Sequence, residues 1–139
     1  MRVLRFLRVH IRTYAGVLTA TMISMVALVG VARRLAGPRL TVELETNGYF
    51  GEEVAQWTER NVDILWVSCD GPPEIQDQHR PNIGGGRTSD IVLRNVERYA
   101  ACRHMQFGVR ATVGQDELAS QVKLIEFFHQ LGVRYVAAS

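Results

Sequence analysis

The residues best placed to do chemistry lie in one run, Val67 Ser68 Cys69 Asp70 Gly71 Pro72 Pro73 Glu74 Ile75 Gln76 Asp77 Gln78 His79 Arg80 Pro81, where an apolar segment passes into a polar, proline-punctuated loop. Chemistry in parallel α/β folds sits at such strand ends. Within the run, Ser68 can both donate and accept toward a diol, and twelve positions later Arg80 offers a guanidinium fork that fits a carboxylate. On residue type alone, Ser68 simply ends a strand and Arg80 is a solvated charge. Asp70 and Gly71 suit the strand exit, since aspartate accepts bonds from backbone amides and glycine tolerates unusual dihedrals. Upstream, Glu45 Thr46 Asn47 Gly48 ends another apolar run, and its Thr46 and Asn47 serve either as polar contacts in the same cavity or as an Asn-Gly turn.

Other candidates carry less. Arg110 and Thr112 share one strand face, where they reach either a bound molecule or an outward salt bridge. Glu43 and Glu45 alternate along a strand like a carboxylate pair, with nothing in the sequence to set their distance from a partner. His79 and His104 read as structural or solvated, the latter following a helix end that favours a cation. No nucleophile with an adjacent base is visible, and there is no phosphate cradle of the P-loop type. The two cysteines, Cys69 and Cys102, stand thirty-three residues apart, without a CxxC pair or a histidine array at metal-binding spacing. Strand alternation sends Ser68 and Trp66 to one side and Val67 and Cys69 to the other, making Cys69 a small buried hydrophobe.

From residue 40 onward, short apolar runs alternate with helical patterns, the rhythm of β/α units around a parallel sheet. The expected elements are a strand over Leu40 to Glu45, a short helix over Glu52 to Arg60 with two acids in its first turn, and a strand over Val62 to Cys69. Thr88 or Ser89 then caps a helix through about Arg103, whose inward face holds Ile91, Val92, Asn95, Val96 and Tyr99. A strand over Gln106 to Val113 follows. Next comes a helix over Asp116 to Leu131, with Leu118, Val122, Ile125 and Phe128 or Phe127 inward and Gly132 as its stop, then a strand over Val133 to Ala137.

These elements and motifs resemble the radical SAM enzymes, in particular the branch of anaerobic sulfatase maturases and related SPASM peptide modifiers. The resemblance covers about residues 25 to 137. It rests on Thr46 Asn47 Gly48, on Ser68 Cys69 Asp70 Gly71 Pro72 and on Arg80 Pro81. It implies an α/β fold: a partial (β/α) barrel of about four β/α units, the third to sixth of a TIM-like radical SAM barrel, preceded by an apolar helix whose final turns are Met25 to Gly37. It also implies that Ser68 binds a ribose hydroxyl of S-adenosyl-L-methionine, that Arg80 pairs with its carboxylate, and that Thr46, Asn47 and Asp70 line the same cofactor site. The partner implied is a peptide or protein substrate in the cytoplasm, and the cofactors are S-adenosyl-L-methionine and a [4Fe–4S] cluster. Family members reduce that cluster to cleave S-adenosyl-L-methionine, generating a radical that abstracts hydrogen from the substrate.

The family's Cys-x3-Cys-x2-Cys motif and its Gly Gly Glu motif are both missing, since Gly84 Gly85 Gly86 falls in a different loop. Neither Cys69 nor Cys102 matches a cluster ligand. A chain of this composition is therefore expected to be inactive alone, with a second polypeptide completing the barrel as one alternative. The first two barrel strands are not recognisable, which leaves the Leu40 to Glu45 strand with an open edge.

The amino-terminal segment, residues 1 to 24, is set apart from the core expected over 25 to 139. With 47% hydrophobic residues, the 139-residue chain has enough apolar content for one ordinary domain. Residues 1 to 42 hold seven arginines and no acid. These arginines flank an apolar block instead of alternating with stacking aromatics, which argues against nucleic acid. That block, Thr13 to Ala32, is twenty residues without a formal charge and reads as a membrane anchor or a signal peptide. Fifteen arginines against one lysine fit a GC-rich genome, in which a shifted reading frame yields this kind of text, the leading expectation for the first 24 residues. The competing function is a membrane-tethered, non-enzymatic α/β module that binds S-adenosyl-L-methionine or a nucleotide.

Overall fold

The structure, a computed structural model, describes residues 6–10, 18–37, 40–113 and 118–138, with the backbone alone for 6–10, 18–23 and 118–120. Five strands, β1 (Phe6–His10), β2 (Thr41–Thr46), β3 (Ile64–Ser68), β4 (Gln106–Ala111) and β5 (Tyr135–Ala138), form one sheet in sequential order. Every neighbouring pair is parallel. Parallel neighbours in chain order need a crossover each time, and crossovers of one hand put all the helices on the same face, as in a β/α barrel. Those crossovers carry α1 (Leu18–Ala36), α2 (Glu52–Asn61), α3 (Pro73–His79), α4 (Ser89–Ala101) and α5 (Leu118–Gln130). The expected partial β/α barrel is thus the observed architecture.

The core lies between this sheet and its helices. Val42, Leu44, Leu65, Val67, Phe107 and Val109 alternate along three strands and are 5% exposed or less, each worth about 2 kcal/mol of apolar burial. They pack with Met25 and Val29 of α1, Ala55 of α2, Val92, Val96 and Tyr99 of α4, and Leu124 and Phe128 of α5. Cys69 continues the row and is fully buried. Burial pushes its thiol up to about 11, so it behaves as an inert apolar side chain.

Several expectations change. A strand does precede residue 25: β1 pairs with β2 from Phe6↔Thr41 to His10↔Glu45, so the edge of β2 is covered. One continuous helix, α1, crosses residue 24. Among the described residues no helix is long and apolar enough to cross a membrane. Of the block Thr13 to Ala32, residues 18–32 belong to α1, whose last turn carries Arg33 and Arg34, and residues 13–17 lie outside the described residues. Arg33 donates to the Asn61 carbonyl at 2.9 Å and to Asp63 Oδ2 at 3.2 Å, while Asp63 Oδ2 accepts the Val42 N–H at 2.8 Å. These bonds tie the end of α1 to β2 and to the turn before β3.

Among the described side chains of α5 the inward residues are Leu124 and Phe128, flanked by Phe127 and Leu131, whereas Val122 and Ile125 are more than half exposed and Leu118 lies outside the described side chains. The sequence offers two overlapping apolar stripes on this helix, and the contact with Gly71 and the sheet selects one of them. The loop after β3 contains α3, which the proline-rich text concealed. Pro73 occupies its first turn, where a missing N–H costs nothing, and Glu74 suits the same turn.

Candidate functional site

At the carboxyl end of β3 the chain makes a sharp exit through Asp70 and Gly71. Gly71 has φ +133°, and a Cβ there would sit 2.8 Å from Leu124 Cδ1, so only glycine fits. Asp70 is 3% exposed and organises its surroundings. Its carboxylate accepts Arg80 Nε at 2.7 Å, Arg80 Nη2 at 3.1 Å and the Thr112 N–H at 2.8 Å. His79 Nδ1 stands 3.6 Å away. Arg80 Nη2 also donates to the Thr112 hydroxyl at 3.3 Å, joining the loop after β3 to the end of β4. Arg80 is therefore held in place and is not a loose loop charge. Its fork is closed on Asp70, and Nη1 is the nitrogen left without a partner among the described residues.

The buried Gln76 of α3 braces the same exit: its Oε1 accepts the Asp70 N–H at 2.9 Å, and its Nε2 donates to Thr88 Oγ1 at 3.3 Å. Neither Thr88 nor Ser89 caps α4 with its own side chain, contrary to expectation. Asp77 takes that role from α3, accepting the Thr88 and Ser89 N–H groups and the Ser89 hydroxyl, each at 2.8 Å, and Arg87 Nε at 2.9 Å. Burial alone would push the Asp77 carboxyl up. The Ser89 amide, Arg87, the Thr88 amide and the Ser89 hydroxyl outweigh it and hold the group well below the usual carboxylate range.

At the end of β2, Thr46 is 4% exposed and lies on the helix-side row of Val42 and Leu44. Its hydroxyl accepts the Gly48 N–H at 3.3 Å. Asn47 Oδ1 accepts the Tyr49 N–H at 3.1 Å in an Asx turn. Buried Asn95, grouped by periodicity with the apolar face of α4, clasps this turn by donating to the Gly48 and Phe50 carbonyls at 2.8 and 3.0 Å. An amide inside an otherwise apolar helix face was the signal for that clasp. Thus Thr46 and Asn47 shape the turn, while Asp70 and Arg80 come together at the neighbouring strand end, two residues beyond Ser68.

The sheet face away from the core carries Glu43, Glu45, Trp66, Ser68 and Arg110. The Trp66 ring lies across Gly108, leaving no room for a side chain there. Arg110 stacks over Trp66 with its guanidinium 5.3 Å from the ring centroid, and its Nη1 is 3.5 Å from the Glu45 carboxylate. Arg110 thus forms a salt bridge, but along the face away from the helices and not outward. Ser68 pairs with Arg110 in register, half-buried, and no described residue holds its hydroxyl. Trp66 is the aromatic member of this face that the sequence did not single out as functional.

No protein-family model matches the chain. Solved structures do. A native anaerobic sulfatase-maturating enzyme, anSMEcpe with bound AdoMet, superposes with a TM-score of 0.69 at 20% identity over 84% of this chain and 33% of that one. The same enzyme with bound AdoMet and the Kp18Cys peptide gives a TM-score of 0.72 at 17% identity, over 96% of this chain and 37% of that one. A domain of pyruvate-formate lyase-activating enzyme from Bacteroides vulgatus ATCC 8482 gives 0.53 at 10% identity, over 94% of this chain and 98% of that one. The likeness is one of fold: a partial β/α barrel shared with these structures. The chain spans about a third of the length of the maturase structures it matches, and the 96% coverage carries the likeness upstream of residue 25.

The residues of this partial β/α barrel do not fit the iron–sulfur cluster that the resemblance implies. Cys69 is fully buried on the helix side, Cys102 lies near the opposite end of the strands, and among the described residues no group of three His, Cys, Asp or Glu is placed to hold a metal. The residues at the carboxyl end of β3 do fit S-adenosyl-L-methionine in part, through the unengaged Ser68 hydroxyl and the immobilised Arg80.

Proposed function

We propose that the chain is the S-adenosyl-L-methionine-binding portion of a radical SAM barrel of the peptide-modifying kind, sulfatase maturation among the candidate reactions, and that it does not cleave the cofactor reductively by itself. The observation that carries this reading is the Asp70–Arg80 pair just past Ser68, which ends β3, at the carboxyl end of a sequentially ordered parallel sheet. Ser68 would hold a ribose hydroxyl. Arg80 would meet the amino-acid carboxylate through Nη1, since Asp70 already occupies the fork. Asp70 is then a positioning residue, and Thr46, Asn47 and Asn95 keep the adjoining turn in shape. When bound, the cofactor supplies the radical chemistry, for which this chain holds no cluster thiolates. A peptide substrate and a complementing barrel subunit are the partners this reading needs.

Calorimetric titration with S-adenosyl-L-methionine tests it. Binding is expected, with Ser68→Ala and Arg80→Leu each weakening it about tenfold, or about 1.4 kcal/mol. No binding heat, or equal affinity in both variants, removes the proposal. Anaerobic addition of iron and sulfide is expected to give neither a cluster absorption band nor 5′-deoxyadenosine. A non-enzymatic binding module is the second reading, favoured by the missing thiolates. Equal affinity for S-adenosylmethionine and S-adenosylhomocysteine supports it.

A further inference from the structure

Two rows of side chains cross the sheet face away from the helices. Glu45, Trp66, Gly108 and Tyr135 stand in register in one, and Ser68, Arg110 and Ala137 in the next, nearer the carboxyl end of the strands. Because position 108 has no side chain, the Trp66 ring can lie across it. The ring in turn supports Arg110, whose guanidinium is 5.3 Å from its centroid.

Arg110 is oriented without being satisfied. Its carboxylate partner is Glu45, and Nη1 stands 3.5 Å from both oxygens of that group. Arg80 and Arg98 each use two nitrogens on a carboxylate and approach it to 2.7 and 2.6 Å. Nε of Arg110 is buried with no hydrogen-bond partner among the described residues, and Nη2 donates to none of them. A guanidinium carries five N–H donors, so most of the capacity of this one is unused. The side chain is 39% exposed and sits beside Ser68, within reach of a molecule lying over that residue. A planar cation stacked on a ring, with a nitrogen to spare, suits a carboxylate.

In the reading above, Ser68 and Arg80 meet the ribose and the carboxylate of the cofactor. Arg110 is then the cation left for the second molecule that this reading needs, the peptide. We propose that Arg110 is the specificity residue for that peptide, and that the preferred substrate class is a peptide presenting a carboxylate near the residue to be modified. This inference rests on the reading that a ligand lies over Ser68. Trp66 and Glu45 are positioning residues: the ring supports the guanidinium, and Glu45 keeps it turned along the face through a contact too long to neutralise it. A neutral amide in place of the carboxylate forgoes the charge-assisted bond.

The test uses the full chain carrying Trp57→Phe, so that Trp66 is the sole tryptophan, and follows its emission. The probes are N-acetylaspartic acid α-amide, N-acetylalanine and the neutral N-acetylasparagine α-amide. Saturable changes are expected with both carboxylates at about tenfold lower concentration than with the neutral amide. The tighter of the two shows whether a side chain or a chain terminus supplies the group. Arg110→Met is expected to abolish the preference while weakening calorimetric binding of S-adenosyl-L-methionine less than about twofold, against about tenfold for Arg80→Leu. Equal affinity for the aspartate and asparagine probes overturns the proposal, as does a preference that survives Arg110→Met. A loss of cofactor affinity in Arg110→Met as large as in Arg80→Leu also overturns it, since Arg110 would then serve the cofactor. Should Arg110→Met fail to fold, the ratio of the aspartate and asparagine affinities in the chain with Arg110 intact decides alone. Failure of the cofactor reading has its own signature, which is no calorimetric binding of S-adenosyl-L-methionine while the carboxylate preference persists.

Discussion

The two ends of the strands are built differently. At the carboxyl end most polar groups are engaged: Asp70 closes on Arg80, Asp77 caps α4, and the Asn95 amide clasps the turn after β2. At the amino end Arg103 and Arg134 stand exposed, and neither meets a carboxylate among the described residues. A region whose polar groups satisfy each other is rigid and preorganised, which suits holding a ligand in one pose. Charges left unengaged give no such preorganisation.

The comparison breaks most readily at Asp70. Asp70→Ala strands Arg80 and the Thr112 amide, and a loss of about 3 kcal/mol is expected in urea unfolding, as for other buried pairs with one partner removed. A loss below about 1 kcal/mol would show that the carboxyl-end network is ornamental. Next is Gly71→Ala, which meets Leu124 and a positive φ, with an expected cost of about 2 kcal/mol by the same measurement.

The smallest effect sharpens the contrast between buried and exposed pairs. Hydrogen bonds from Arg98 hold the Glu52 carboxyl down at about 2, against an ordinary value of 4.5. A group depressed in the folded state contributes its stability fully above the unfolded value. That contribution is present above pH 4.5 and is lost as the pH falls toward 2. Arg98→Ala is therefore expected to lower the unfolding midpoint slightly at pH 7, where the contribution is whole, and to leave it unchanged near pH 2, which flattens the pH dependence between 4.5 and 2. A large change at pH 7 would show this solvent-exposed pair to matter as much as Asp70.

The strand rhythm from residue 40 onward, the alternation around Trp66 and Ser68, and the burial of Cys69 were all legible in the text. They depend on apolar periodicity, a property of neighbours in sequence. The strand Phe6–His10 was not, because its one arginine, Arg8, interrupts a short apolar run beside a longer apolar block that draws the eye, and only pairing with β2 reveals it. Helix α3 was hidden by two prolines that look like loop punctuation and instead begin a helix.

Ser68, Asp70 and Arg80 were each visible as candidates, but their relationship was not. Read from sequence, Arg80 offers its fork to a ligand; in the fold, Asp70 takes the fork, because a buried carboxylate must be paired. In the same way His104 read as structural or solvated, and only the approach of the Glu59 carbonyl shows which of its nitrogens carries a hydrogen. Residue types and local spacing thus determined the β/α order, the buried rows and the identity of the polar candidates. Which polar group partners which was decided by tertiary structure, since those bonds join residues ten to forty-seven positions apart that meet only when the helices close on the sheet.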